Sequence, residues 1–293
     1  MTTKIARDDV KRSQSEPLHW DVFVTPGIPI EVTDKPADVH ETFFQATAST
    51  LIYGQRDAVL VDAFMTTVQA NALADWVASK HRKLTTIYIT HGHGDHWFGA
   101  GTLLERFPDA RVVATPNTIS VMQQNASPQG RARWGAAFPG QIPENLVIAE
   151  TLESNVIDLE GRELVVVELG HTDPDHTTCL HVPSIGLVVA VDAAYNDVHV
   201  YLAESNAQTR QEWLAALDKI ESLEPRAVAS HKRPENADSP AIIEETRQYI
   251  RDFDRLAAAT KTAQELYEKM LQLYPTRVNP GWALWSSARA VKR

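Results

Sequence analysis

A chain of 293 residues with 43% hydrophobic and 23% charged side chains is globular in composition and long enough to bury a large core. Its 28 Lys and Arg against 38 Asp and Glu leave a formal net charge of -10, the wrong sign for tracking a phosphate backbone, so nucleic acid is not an expected partner. The single cysteine, Cys179, permits no internal disulfide, the opening MTTKIARDDVKRSQSEPLHW lacks the apolar core of a signal peptide, and no run of about 18 apolar residues marks a membrane span; the expected setting is cytoplasmic.

Residues 1–17 are polar and without periodicity and read as a flexible N-terminal arm, with 18–293 as a single domain. Short β-like runs come first, WDVFVTPG, FQATASTLIYG and DAVLVDAF, the last two parted by a Gly-Gln-Arg-Asp turn. The helical stretch VQANALADWVASKH then feeds the apolar strand LTTIYIT, which ends just before His91. A helix around TLLERF and a strand RVVAT follow. The segment 123–144, rich in Gly, Pro and Asn, reads as an insertion and a mobile lid. The second half repeats the scheme with strands near NVIDL, ELVVVELG, TTCLHV, GLVVAVD and RAVAS. Between the last two, a capping box from Thr209 to Glu212 opens a helix with Trp213, Leu214, Leu217 and Ile220 as its apolar stripe. C-terminal helices are predicted over 239–275, the first opened by Ser239 and Pro240, the second stopped by Pro275. The order suggests an α/β domain with two facing sheets.

The stretch ITHGHGDHWFG, residues 89–99, carries the chemistry. Gly92 and Gly94 each weaken a helix by roughly 1 kcal/mol relative to Ala, so the stretch is a loop on which His91, His93, Asp95 and His96 can turn inward together. Imidazole nitrogen and carboxylate oxygen suit zinc at about 2.0 to 2.2 Å. Adjacent Asp95 and His96 cannot easily share one small tetrahedral shell with His91 and His93, so two ions are expected. Further ligands stand where other strands end, at His171, Asp192 and His231.

The set T-H-x-H-x-D-H-x-x-G, then Gly170-His171-Thr172, then Asp192 and His231, resembles the metallo-β-lactamase fold superfamily, whose hydrolases include glyoxalase II and the quorum-quenching lactonases. The resemblance runs from about Leu51 to His231 and implies an αββα sandwich, two facing mixed β-sheets flanked by helices, with a dimetal site at one edge. It implies His91, His93 and His171 on one metal, Asp95, His96 and His231 on the other, and Asp192 bridging them, with zinc as the expected ion. The VLVDAF strand matches the superfamily's first motif, which makes Asp62 the buried carboxylate behind the metal loop. One departure stands out: the usual G-H-T-x-G-H is replaced by GHTDPDH, a residue longer and without the second glycine, which leaves His176 structural. The dizinc β-lactamases carry a cysteine where this chain has Asp192, and the persulfide dioxygenases of the fold use a single iron. Neither matches as well.

Two ions about 3.5 to 4 Å apart hold a water whose pKa falls toward neutrality while one of them polarises a carbonyl. The expected reaction is therefore opening of a lactone or lactam. The runner-up is a glyoxalase II-like thioesterase, followed by a nuclease or a non-catalytic binding protein. Tyr195, at the offset from Asp192 where lactonases of the superfamily have a tyrosine, is either an oxyanion donor or a packed ring, and Asp95 is the candidate to protonate the leaving atom. Trp97, Phe98, Trp134 and Phe138 either wall a pocket or belong to the core, and as walls they imply a small, apolar or aromatic substrate; His199 and Tyr201 either reach the pocket mouth or lie in a solvated loop. A homo-oligomer is compatible with the sequence. His19, His40, His81 and His181 lack a motif and are read as structural.

Overall fold

The computed structural model describes residues 16–37 and 39–292, so the expected N-terminal arm lies outside the described residues except for Glu16 and Pro17. The first half runs β1 (His19–Thr25), β2 (Thr47–Tyr53), β3 (Asp57–Val61), α1 (Thr67–Ser79), β4 (Lys83–Tyr88), α2 (Gly94–Trp97), α3 (Ala100–Arg106), β5 (Arg111–Ala114), α4 (Pro116–Ala126), α5 (Pro128–Ala137) and β6 (Glu150–Thr151). The second runs β7 (Val156–Leu159), β8 (Arg162–Gly170), β9 (Thr177–Val182), β10 (Leu187–Asn196), α6 (Ala207–Glu221), β11 (Ala227–Lys232), α7 (Ala241–Ala259), α8 (Ala263–Leu273), a π-helical turn (Pro280–Leu284) and α9 (Trp285–Val291).

Two mixed sheets result, one ordered β1-β2-β3-β4-β5-β6 and one ordered β11-β10-β9-β8-β7. The first opens with antiparallel β1, β2 and β3 and continues parallel from β3 to β6. The second is antiparallel from β7 to β10, with β11 added parallel to β10. The period of two along the strands explains why the sheets face each other. Leu187, Val189 and Val191 of β10 join Val59 and Val61 of β3 in the core between the sheets. Val188 and Ala190 turn the other way, into the cluster of Trp213 and Leu217 on α6 and Ile250 and Phe253 on α7. Likewise Ala58 and Leu60 share a cluster with Leu73 and Val77 of α1. A strand that is apolar on both faces must lie in an inner layer, and two such sheets with helices outside make the expected αββα sandwich.

Three predicted elements differ. The segment 123–144 is mostly helix: Thr115 caps α4 and Ser127 caps α5, each followed by a proline whose missing N–H would be unpaired in a first turn anyway. Its Trp134 and Phe138 are buried in the core beside Phe98, so this part of the expected lid is pinned down. Helix α6 starts earlier than expected, because Asn206 accepts from the Gln208 and Thr209 amides and Thr209 closes the capping box instead of opening it. Beyond residue 275 the chain adds the π-helical turn and α9. Among the described residues no helix is long and apolar enough to cross a membrane.

Candidate metal centre

The metal loop is shaped by what packs behind it. A Cβ on Gly92 would lie 2.4 Å from Val121 Cβ of α4, so the close approach of that helix requires glycine. The Gly92 carbonyl is gripped twice, by Trp97 Nε1 and by Asn125 Nδ2, each at 3.0 Å. Asn125 Oδ1 in turn accepts from Trp134 Nε1 at 3.0 Å and Arg133 Nη2 at 2.9 Å.

Asp95, His96, Asp192 and His231, all buried, bring one donor atom each within 4.8 Å of one another. Asp62 orders this cluster. It is itself buried and accepts from the Thr90 amide and hydroxyl, both at 2.9 Å, and from His96 Nδ1 at 2.8 Å. With its own hydrogen given to Asp62, the Thr90 oxygen is left to accept from His91 Nδ1 at 3.2 Å. Both rings therefore turn Nε2 toward the centre. Burial opposes charge on His96, but Asp95, Asp62 and Asp192 outweigh it and raise its pKa, so an ion bound at this nitrogen displaces a proton. Asp192 arrives by a different device: β10 slips register against β11 on either side of Val191, whose φ of 44° is a left-handed conformation rare for a β-branched residue. Strain of that kind costs on the order of 1–3 kcal/mol and is concentrated at functional sites. Burial disfavours charge on Asp192, but His231 and His96 outweigh it and hold the carboxyl well below the usual carboxylate range. Tyr195, fully buried, donates to Asp192 Oδ2 at 3.0 Å. At His231 the Ala48 amide donates to Nδ1 at 2.9 Å, so the neutral ring carries its hydrogen on Nε2, and an ion bound there releases a proton.

A second group unites His91, His93 and Asp173. Burial, with His96 and His93 adding to it, pushes His91 well below its ordinary range and keeps the ring neutral. Burial also opposes charge on His93, but Asp173 at 3.0 Å from Nδ1 and Glu204 at 3.3 Å from Nε2 outweigh it and raise its pKa. Burial and the charge of Asp192 push Asp173 up to about 6 against the pull of His93. His171 stands outside both groups, with Nδ1 2.6 Å from Asp175 Oδ1.

Among the described residues, His91 Nε2, Asp95 Oδ2, His96 Nε2 and His171 Nε2 are buried without a hydrogen-bond partner, while His231 Nε2 faces Asp192 Oδ1 at 2.8 Å and His93 Nδ1 faces Asp173 Oδ2 at 3.0 Å. A buried polar atom left unsatisfied costs about 1–3 kcal/mol. Imidazole nitrogens and carboxylate oxygens that converge in this way fit divalent metal, and the donor types suit zinc among others.

A cavity of about 110 Å³ opens onto His93, Asp95, Asp173 and Asp192. Its walls are Phe44, Trp134, Tyr201 and Trp282, with Arg133 and Glu204 at polar positions; the Tyr201 and Trp282 rings are parallel within 5°. Of the aromatic residues singled out in the sequence, Trp134 and Tyr201 line this cavity. Trp97, Phe98 and Phe138 are fully buried in one cluster, the first two because the chain leaves the metal loop directly into α2, the third at the C-terminal end of α5. His199 is buried beside Tyr249, whose hydroxyl is 2.9 Å from its Nδ1, and burial together with Arg277 pushes its pKa down to about 3. Tyr195 is also absent from the lining. Asp173 sits inside GHTDPDH, where the interrupted pattern was the available clue; Glu204, Phe44 and Trp282 come from distant parts of the chain with no local motif.

Residues 43–231 match the family model described as the metallo-beta-lactamase superfamily, and the chain belongs to that superfamily. It is 24% identical over 193 residues to ribonuclease J of Pyrococcus abyssi, covering 64% of this chain and 41% of that protein. Over 64 residues it is 38% identical to hydroxyacylglutathione hydrolase of Francisella philomiragia, covering 22% of this chain and 24% of that one. The chain thus spans less than half the length of these curated relatives. In structure it is similar to a metallo-beta-lactamase family protein from Thermus thermophilus, with a TM-score of 0.60 at 21% identity over 91% of this chain and 92% of that one. That likeness shows the fold.

Proposed function

We propose that this chain is a dinuclear metal-dependent hydrolase, with zinc as the first metal to test, that opens a small lactone or lactam carrying an apolar or aromatic body. The observation that carries the reading is the aromatic-walled cavity that opens onto the carboxylates of Asp95, Asp173 and Asp192. When bound, a pair of divalent ions supplies an activated water and a Lewis acid for the carbonyl. The chain's own residues do the rest. Phe44, Trp134, Tyr201 and Trp282 exclude water and orient a ring. The Asp95 carboxylate, which lines the cavity, takes the proton released as water adds to the carbonyl and passes it to the leaving atom. Tyr195 acts through Asp192, since its hydroxyl already donates to that carboxylate. The cavity volume lies well below the roughly 300 to 1,000 Å³ of drug-sized pockets, which favours a small ring over a polymer. A cytoplasmic setting is proposed with it, in keeping with the free, buried Cys179.

A glyoxalase II-like thioesterase is the second reading, favoured by the short match to hydroxyacylglutathione hydrolase. The test is a turnover screen of the zinc-loaded chain on uncharged lactones, lactams, glutathione thioesters and RNA. Turnover of a lactone or lactam at least tenfold above the other classes is expected. Cleavage of RNA with no carbonyl substrate touched would overturn the proposal, and thioester turnover alone would replace it with the second reading.

A further inference from the structure

The geometry points to Asp173 as a ligand of the ion held by His91 and His93, in the coordination place that the superfamily pattern assigns to His171; this rests on the reading of the site as a metal centre. Four observations converge. Asp173 is fully buried, and its Oδ2 faces the rings of His93 and His91. Its other oxygen is tied down, because Thr172 Oγ1 donates to Oδ1 at 3.0 Å. Oδ2 stands 3.0 Å from His93 Nδ1 and 3.7 Å from His91 Nε2. Ligands bound to one ion at about 2.0 to 2.2 Å are separated by about 3.0 to 3.5 Å when they occupy neighbouring positions, and these two separations lie at or near that spacing in a group whose three donor atoms all fall within 4.8 Å of one another. His171, by contrast, lies outside this group.

The cause lies in the local sequence. In GHTDPDH the loop is held by its own hydrogen bonds: the Thr172 amide donates to the Pro174 carbonyl at 3.0 Å, and the Thr172 hydroxyl lies 2.8 Å from that of Thr177. These contacts turn residue 173 inward. His171 is meanwhile held through Nδ1 by Asp175, whose side chain is 73% exposed. Two imidazoles and one carboxylate form a donor set that suits zinc and ferrous iron alike, so both are measured.

The experiment compares Asp173→Asn and His171→Gln in the full chain, each equilibrated with a fixed free concentration of Zn²⁺ or, under anaerobic conditions, Fe²⁺. Metal content is read by elemental analysis, and Co²⁺ absorption bands report coordination. Circular dichroism confirms folding; Asp173→Ser, smaller and without a carboxylate, stands in if the asparagine variant does not fold. Two ions are expected in the unaltered chain and in His171→Gln, but about one in the Asp173 variant, with affinity for the second down at least tenfold and the cobalt bands altered. Retention of both ions by Asp173→Asn, or loss of one from His171→Gln, would overturn the assignment. An unaltered chain that binds no divalent ion would instead overturn the metal-centre reading itself.

Discussion

At Asp95, His96, Asp192 and His231 the bracing groups are inside the core: Asp62 behind His96, the Tyr195 hydroxyl behind Asp192 and the Ala48 amide behind His231. At the neighbouring group one brace comes from the rim, although Thr90 behind His91 and Thr172 behind Asp173 are buried. Glu204 stands behind His93 with its side chain 45% exposed. A hydrogen-bonded charge in a dry interior acts in a low dielectric, whereas the same charge in water is screened. The two groups thus use similar donors with different firmness, and an ion in the deep group should be the last to leave in a chelator titration.

Replacing the braces one at a time tests that ordering. Asp62→Asn should have the largest effect, since one carboxylate orients both His96 and, through Thr90, His91; a 10- to 100-fold loss of metal affinity is expected in competition with a chelator. An unchanged affinity would show that the rings hold their positions without it. Tyr195→Phe keeps the ring and removes one donor to a charged oxygen, so a loss of about tenfold is expected in the same titration, consistent with about 1.5 kcal/mol for such a bond. A larger loss than for Asp62→Asn would reverse the ranking within the deep group. Glu204→Gln should be the mildest change, below about fivefold and smaller still at high salt, as an exposed pair worth about 0–1 kcal/mol would give. A salt-independent effect as large as that of Asp62→Asn would erase the contrast between the groups.

The deep group was legible because its residues announce themselves locally. Asp62 and His231 stand at or near strand ends and Asp192 follows the register slip inside β10, while Asp95 and His96, expected on a loop, lie in the short helix α2 that Gly94 opens. The repeated order of strands in the two halves also carried the two-sheet architecture, and the continuous apolar runs in VLVDAF and GLVVAVD belong to strands buried on two faces. The cavity wall was not legible in the same way. Trp97 and Phe98 are next to the ligands in sequence, yet a short helix turns them into the core, while Phe44 and Trp282 reach the cavity from far along the chain. Pro128 and Gly130 suggested a loop because the same residues that break a helix interior are compatible with its first turn, which is where α5 has them.

Asn125 joins the metal loop and the cavity wall into one mechanical unit. Its Nδ2 holds the carbonyl between His91 and His93, and its Oδ1 holds Arg133 and Trp134. An amide nitrogen donates and an amide oxygen accepts, so the group cannot turn over without setting like against like at both ends. Trp134 and Arg133 on the cavity wall thus share, through one side chain, the support of the peptide between the two histidines.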